Sequence, residues 1–260
     1  VYKEIFKRAL DLLLKKKNIL IKALFIPFII LTTIENYYPS DMQIINLNVN
    51  TGLSLFLIAL SFLISILVSI TVHRILLLPE NQTPTFGILT LSKREFSFML
   101  KVIYMTVLLI VFALILYGVL LLSKPIIEVL FGSLVSNIFS LISIVIIGVS
   151  VLVLFSRMSL TFPTIAVDKP IGLYDSLALT KNHKTLVFFT ITVIPLVLAM
   201  LLGFVYGLVI EFLMALISQK LSVLYSLLNI FITVLIIAFI SVTYEYLINN
   251  QAEKKEEKEV

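Results

Sequence analysis

Six long apolar runs dominate the chain, at residues 19–35, 53–72, 102–122, 137–156, 185–210 and 221–244. A hydrocarbon layer roughly 30 Å thick is crossed by about 20 helical residues, so these runs have the length of membrane spans. The polar stretches between them alternate in length, with long ones at 73–101 and 157–184 and short ones elsewhere. The pattern predicts an all-α, polytopic membrane helix bundle, with six transmembrane helices arranged as three helical hairpins.

Residues 2–13 show a helical period. Tyr2, Ile5, Phe6, Ala9, Leu10 and Leu13 share one face, and Lys3, Glu4, Lys7, Arg8 and Asp11 share the other. Such a stretch predicts an interfacial helix with its apolar side in the lipid boundary. The long polar segments repeat a common order. Each has an Arg (Arg74, Arg157), a Pro (Pro79, Pro163), a second Pro (Pro84, Pro170) and a Gly (Gly87, Gly172). A short amphipathic stretch follows (85–94, 171–182), then a basic cluster, "LSKREFS" or "LTKNHKT", before the next span. The N-terminal stretch closes the same way with "LLKKKNI". The chain therefore reads as a unit used three times, at 1–74, 84–157 and 170–245, each with a cytoplasmic interfacial helix. Together they form one domain, 1–248, followed by a charged cytoplasmic tail, 249–260, expected to be disordered. Pro27 and Pro195 hold matching places in spans 1 and 5, which predicts similar kinks.

Charge sets the orientation. Of the 20 Lys and Arg residues, all but Lys124 and Lys220 fall on the side of the long polar segments. The positive-inside rule then places both termini in the cytoplasm. The basic face suits anionic lipid headgroups as partners, and nothing points to nucleic acid. Lys22 enters span 1 near its end, where its side chain can reach the headgroups. No small-residue cleavage site follows the first apolar run, so it does not read as a removable signal peptide. The sequence has no Cys, which removes thiolate catalysis and thiolate metal sites, and no Trp, which leaves any aromatic belt to Tyr.

Small polar residues recur along the even-numbered spans. Span 2 carries Ser54, Ser61, Ser65 and Ser69 leading to His73, and span 4, with its entry, carries Ser136, Ser140, Ser143 and Ser150 leading to Arg157. Span 6 carries Ser222, Ser226, Asn229 and Thr233. Their spacing puts them along helix faces. One reading is helix packing, because small residues allow close approach and hydroxyls bond their own carbonyls. Ala199, Gly203 and Gly207 in span 5 fit the same reading. The other reading is a polar interior lined by Ser61, Ser65, Ser140, Ser143, Ser226, Asn229 and Thr233. No ionisable residue sits mid-span, which speaks against an ion-coupled pump. At the cytoplasmic ends of the even spans, Arg74, Arg157 and Glu245 hold equivalent places and are expected to form a charge cluster. His73 and His183 lack the spacing of a metal site, while Asp168 and Asp175 read as turn and helix-start residues. No catalytic or cofactor motif is present, so no enzyme activity, cofactor or metal is expected.

The stretch after span 4 carries Arg157, Pro163, Val167-Asp168, Gly172, Ser176-Leu177, Thr180 and Lys184. In this it resembles the YciC-like six-helix bacterial inner-membrane proteins. It is similar, too, to the membrane domain of some glycerophosphodiester phosphodiesterases, with Thr180 standing where Ser is more usual. The resemblance implies a multi-pass protein of the bacterial cytoplasmic (inner) membrane and brings no catalytic residues. The phosphodiesterase barrel itself is absent from the sequence. The expectation is a non-enzymatic scaffold or accessory protein in envelope or lipid biology. The alternative is a transporter or channel for a small solute or lipid, using the polar faces of spans 2, 4 and 6.

Overall fold

A computed structural model describes residues 1–37, 51–83 and 92–259, and every extended element among them is helical. In chain order these are α1 (Tyr2–Tyr37), α2 (Thr51–Leu77), α3 (Lys93–Phe131), α4 (Ser133–Met158), α5 (Thr161–Ala166), α6 (Leu173–Leu179), α7 (Lys184–Phe188), α8 (Ile194–Leu216) and α9 (Val223–Glu259). Among the described residues six stretches are long and apolar enough to cross a membrane: α1, α2, α3, α4 with α5, α7 through α8, and α9. The hairpins α1–α2, α3–α4 and α8–α9 follow from the six-run pattern.

Several local expectations change. The stretch 2–13 is no separate interfacial helix but the first three turns of α1. Its apolar face is core. Ile5 and Ala9 are buried, and Phe6 lies 6.0 Å from Phe239 of α9 between ring centroids. Nothing in 10–18 breaks the helix, because the Lys run has good helix propensity and the next span continues the turn. The second interfacial stretch, 85–94, lies largely outside the described residues, and the third is the two-turn helix α6.

Spans 1 and 5 also handle their prolines differently. α1 passes through Pro27 as α-helix, whereas Phe189–Val193 widens into a π-helical turn just ahead of Pro195. A proline has no N–H and collides with the carbonyl four residues back, and a π-turn relieves both problems. Nor does the charged tail end the last helix, since the α9 backbone is helical to Glu259. Residues 251–259 are Gln, Ala, Glu and Lys, all good helix formers, and extension from a packed span needs no new nucleus.

Packing is concentrated at the basic end. α1, α2 and α9 form a three-helix unit around Ile5, Leu20, Val68, Val72, Leu235 and Phe239. A second cluster joins α2, α3, the end of α4 and α5 through Ile70, Phe98, Met158 and Phe162, and a third seats Leu160 against Val187, Ile191 and Ile240. The far ends of α3 and α4 pack on each other and project from this core with most of their other apolar side chains exposed, as lipid-facing helices do. Gly132 alone joins them, at φ 83° and ψ 167°, and Ser136 Oγ donates across the turn to the Lys124 carbonyl. α4 packs chiefly on α3, α6 and α7 rather than on α2 and α9, so the even spans do not enclose a common axis.

The dihedrals of Gly132 belong to a region essentially closed to side-chain-bearing residues, and holding one there costs about 1–3 kcal/mol. Gly132→Ala is expected to lower the unfolding midpoint of the detergent-solubilised protein accordingly. Gly118→Ala, within α3 and with open space around the new Cβ, is expected to leave it unchanged or raise it.

Candidate functional site

The most enclosed part of the molecule is the segment that leaves α4. Ser156 and all residues from Met158 to Ala166 are buried, although they include Ser159, Thr161 and Thr164. Burial is tolerable because most of these hydroxyls bond locally. Ser156 Oγ donates to the Val153 carbonyl at 2.9 Å and Ser159 Oγ to the Ser156 carbonyl at 2.9 Å. Thr164 Oγ1 donates to the Thr161 carbonyl at 2.7 Å and accepts from the Ile171 N–H at 3.2 Å. Thr161 Oγ1 has no such partner. α5 is thus wedged between the other helices and touches α2, α3 and α9.

Beside this segment, α9 is tied by two side-chain hydrogen bonds. Ser241 Oγ donates its only proton to the Ile237 carbonyl at 2.8 Å, so its contact of 2.8 Å with His73 Nδ1 requires the imidazole to donate. The His73 ring is buried 6.4 Å from Phe98, which lies 4.9 Å from Phe162. In the same way Thr190 Oγ1 donates to the Leu186 carbonyl, leaving Thr243 to donate to Thr190 at 3.1 Å. Thr190 lies in the π-turn, so this second tie joins α9 to the widened part of span 5.

The expected charge cluster does not form. Glu245 pairs with Arg8 of α1 rather than with Arg74 or Arg157. For Arg157 the cause is geometric, since α4 is held away from α9 by α5 and the π-helical turn, whereas α1 and α9 are direct neighbours. Arg74 instead donates to the Ala166 carbonyl at 2.9 Å and to Asp168 at 3.0 Å. Arg94 reaches the same Asp168 carboxylate at 3.1 Å, making it an anionic bridge between two guanidiniums. Asp168 sits at φ 59°, a left-handed conformation that Asp tolerates better than most residues. Arg157 serves α6, donating to Thr180 Oγ1 at 2.9 Å and the Leu177 carbonyl at 2.6 Å. Asp175 accepts from the Gly172 N–H at 2.9 Å in the first turn of α6.

Three further residues take part that the sequence pattern did not single out. Ser92 and Glu95 form a reciprocal cap at the start of α3, and the S-x-x-E spacing was available to show it. Lys16 Nζ donates to the Ile75 and Leu78 carbonyls at the end of α2, which no local pattern announces.

The hydroxyls proposed to line a polar interior do not converge. Ser65, Asn229 and Thr233 are exposed on the outside of the bundle, Ser61, Ser140 and Ser143 are half-buried, and Ser226 is buried. Ser65 Oγ donates to the Ser61 carbonyl, Ser140 Oγ to that of Ser136 and Thr233 Oγ1 to that of Asn229, each at 2.8 Å. His73, His183 and Asp168 likewise have separate neighbourhoods. His183 lines a cleft of about 310 Å³ with Asn182, Leu247 and Asn250, far along α9 from Ser241.

No protein family, characterised protein or solved structure matches this chain. Among the described residues six helices are long and apolar enough to cross a membrane, the class of a multi-pass integral membrane protein.

Removing the acceptor of the His73 N–H strands a buried donor, a loss of about 1–3 kcal/mol. Ser241→Ala is expected to destabilise the protein by that amount in reversible unfolding. His73→Phe combined with Ser241→Ala should recover part of it, because no polar group is then left unpaired.

Proposed function

We propose that the protein is a non-enzymatic scaffold or accessory protein of the bacterial inner membrane, working through its packed helices and its basic face. What supports this reading over a transporter is the state of the hydroxyls. Ser65, Ser140 and Thr233 bond carbonyls of their own helices, and Ser65, Asn229 and Thr233 are exposed on the outside of the bundle. A path needs polar atoms that face one another across a gap. The packed core instead lies where the charged side chains gather, a suitable form for a rigid platform held at one membrane surface. Kinship with the YciC-like proteins belongs to the same proposal and rests on the stretch from Arg157 to Lys184.

Purified protein in liposomes is expected to leave the permeability to ions and small polar solutes at the protein-free level. Solute flux that Ser65→Ala, Ser143→Ala and Asn229→Ala together abolish, in a protein that remains folded, would overturn the scaffold reading in favour of transport.

The same proposal places the basic end in the cytoplasm. Because the chain has no Cys, single replacements give unambiguous labels. In intact cells, Ser218→Cys is expected to react with a membrane-impermeant maleimide while Glu4→Cys reacts only after lysis; the reverse pattern would invert the orientation.

A further inference from the structure

Along the outside of the α1–α9 pair runs an apolar groove of about 430 Å³. Its floor is formed by buried Leu20, Leu24 and Val234, and its rims include the exposed Ile21 and Phe231. One cation lines it, Lys17, whose position on the helix falls in the middle of the groove-facing stripe of α1. We propose that this groove binds one acyl chain of an anionic phospholipid, with its phosphate held at Lys17.

Depth supports this occupant. The adjacent Lys16 reaches the Ile75 and Leu78 carbonyls, where α2 ends and the chain turns at Pro79. Lys17 therefore stands at the level where the apolar layer gives way to polar surroundings. From Lys17 to Phe28, the innermost residue of α1 in the groove, the helix rises about 16 Å. One leaflet of hydrocarbon is about 15 Å deep, half of the roughly 30 Å core. The part of the groove from Lys17 inward thus matches a single leaflet, with apolar walls below the charge and one further turn, at Leu13, above it.

Charge selects among lipids. Lysine is a compact point charge suited to phosphate, and no ion pair among the described residues engages Lys17. Lys22 does not compete for this role, since it lies on a different face of α1, outside the groove lining. A zwitterionic headgroup offers the same phosphate but brings its own cation to it, so an anionic headgroup is favoured.

The proposal rests on the chain's being embedded in a membrane and not on its acting as a scaffold. It can be tested by fluorescence, because the sequence has no Trp. Ile21→Trp places a single indole on the groove rim, and Leu114→Trp places one on α3; the native side chains there are 65% and 62% exposed. The full chain carrying either change is reconstituted into phosphatidylcholine vesicles containing a small fraction of phosphatidylglycerol brominated on its acyl chains. Ile21→Trp is expected to be quenched well beyond the mole fraction of brominated lipid, and Leu114→Trp in proportion to it. Adding Lys17→Ala to Ile21→Trp should move half-quenching to an about fivefold higher fraction, the factor that one lysine near anionic lipid supplies.

Lys17 and Ile21 are exposed, so these variants are expected to unfold at the same temperature as the parent chain. Proportional quenching at Ile21→Trp, with or without Lys17, would reduce the groove to ordinary lipid contact and overturn the proposal. So would a signal that ignores both lipids and follows protein density, which would mean a second copy covers the groove. Solute flux through the protein would sink the scaffold reading and leave the quenching result standing.

Discussion

A hydroxyl proton inside an apolar layer has no water to turn to, and this constraint organises the molecule. The cheapest acceptor is the carbonyl one turn back on the same helix, and Ser65, Ser69, Ser140, Ser150, Thr233 and Ser241 all use it. Once that proton is committed, only lone pairs remain, and these attract donors from elsewhere. Ser241 accepts from His73 and Thr190 accepts from Thr243. Two of the specific ties in the membrane-facing core thus arise because each hydroxyl first satisfied its own helix. Polar groups here act as fasteners between helices, each bond supplementing the close apolar packing around it.

The segment from Ser156 to Ala166 depends on the same economy and carries more of the fold. It lies at the meeting point of the second and third hydrophobic clusters, with Phe162 turned to one and Leu160 to the other. Its far end is held by charge. The Ala166 carbonyl and the Asp168 carboxylate both take hydrogen bonds from Arg74, and Arg94 reaches Asp168 from α3. Asp168 is largely exposed, so its two ion pairs are weakened by water and salt. The Arg74 bond to the Ala166 carbonyl is partly buried and is screened less. The apolar wedge therefore holds the segment in place, and the guanidiniums set the direction in which the chain leaves it.

What the sequence makes legible follows from periodicity. Six apolar runs announce six membrane-length helices, and basic residues announce one end of the bundle. The face of 2–13 was visible as well, but not its partner: a stripe of Ile5, Phe6 and Ala9 suits lipid or protein equally, and only the proximity of Phe239 decides. Polar stripes carry the same ambiguity. A serine that bonds its own helix and one that lines a cavity recur at identical spacings, so Ser65 on an exposed face could not be told from an interior residue. Gly132 was equally opaque, because a run of apolar residues on both sides hides a one-residue hairpin.

The charge cluster failed for a more general reason. Arg74, Arg157 and Glu245 hold equivalent places along a repeated pattern, and equivalence in sequence predicts contact only when the repeats are arranged around an axis. Here spans 1, 2 and 6 form one compact unit, while the α3–α4 hairpin joins it through α2, α5 and α7. The first and last of the six spans, not equivalent places in the repeats, are brought together: Glu245 meets Arg8 across 237 positions of sequence. A closure of this kind buries the faces of α1 and α9 that look toward α2 and leaves their outer faces to form the groove headed by Lys17. Packing α1 against α9 therefore has a direct consequence at the surface, since the seam between two antiparallel helices is where a lipid chain can lie alongside both.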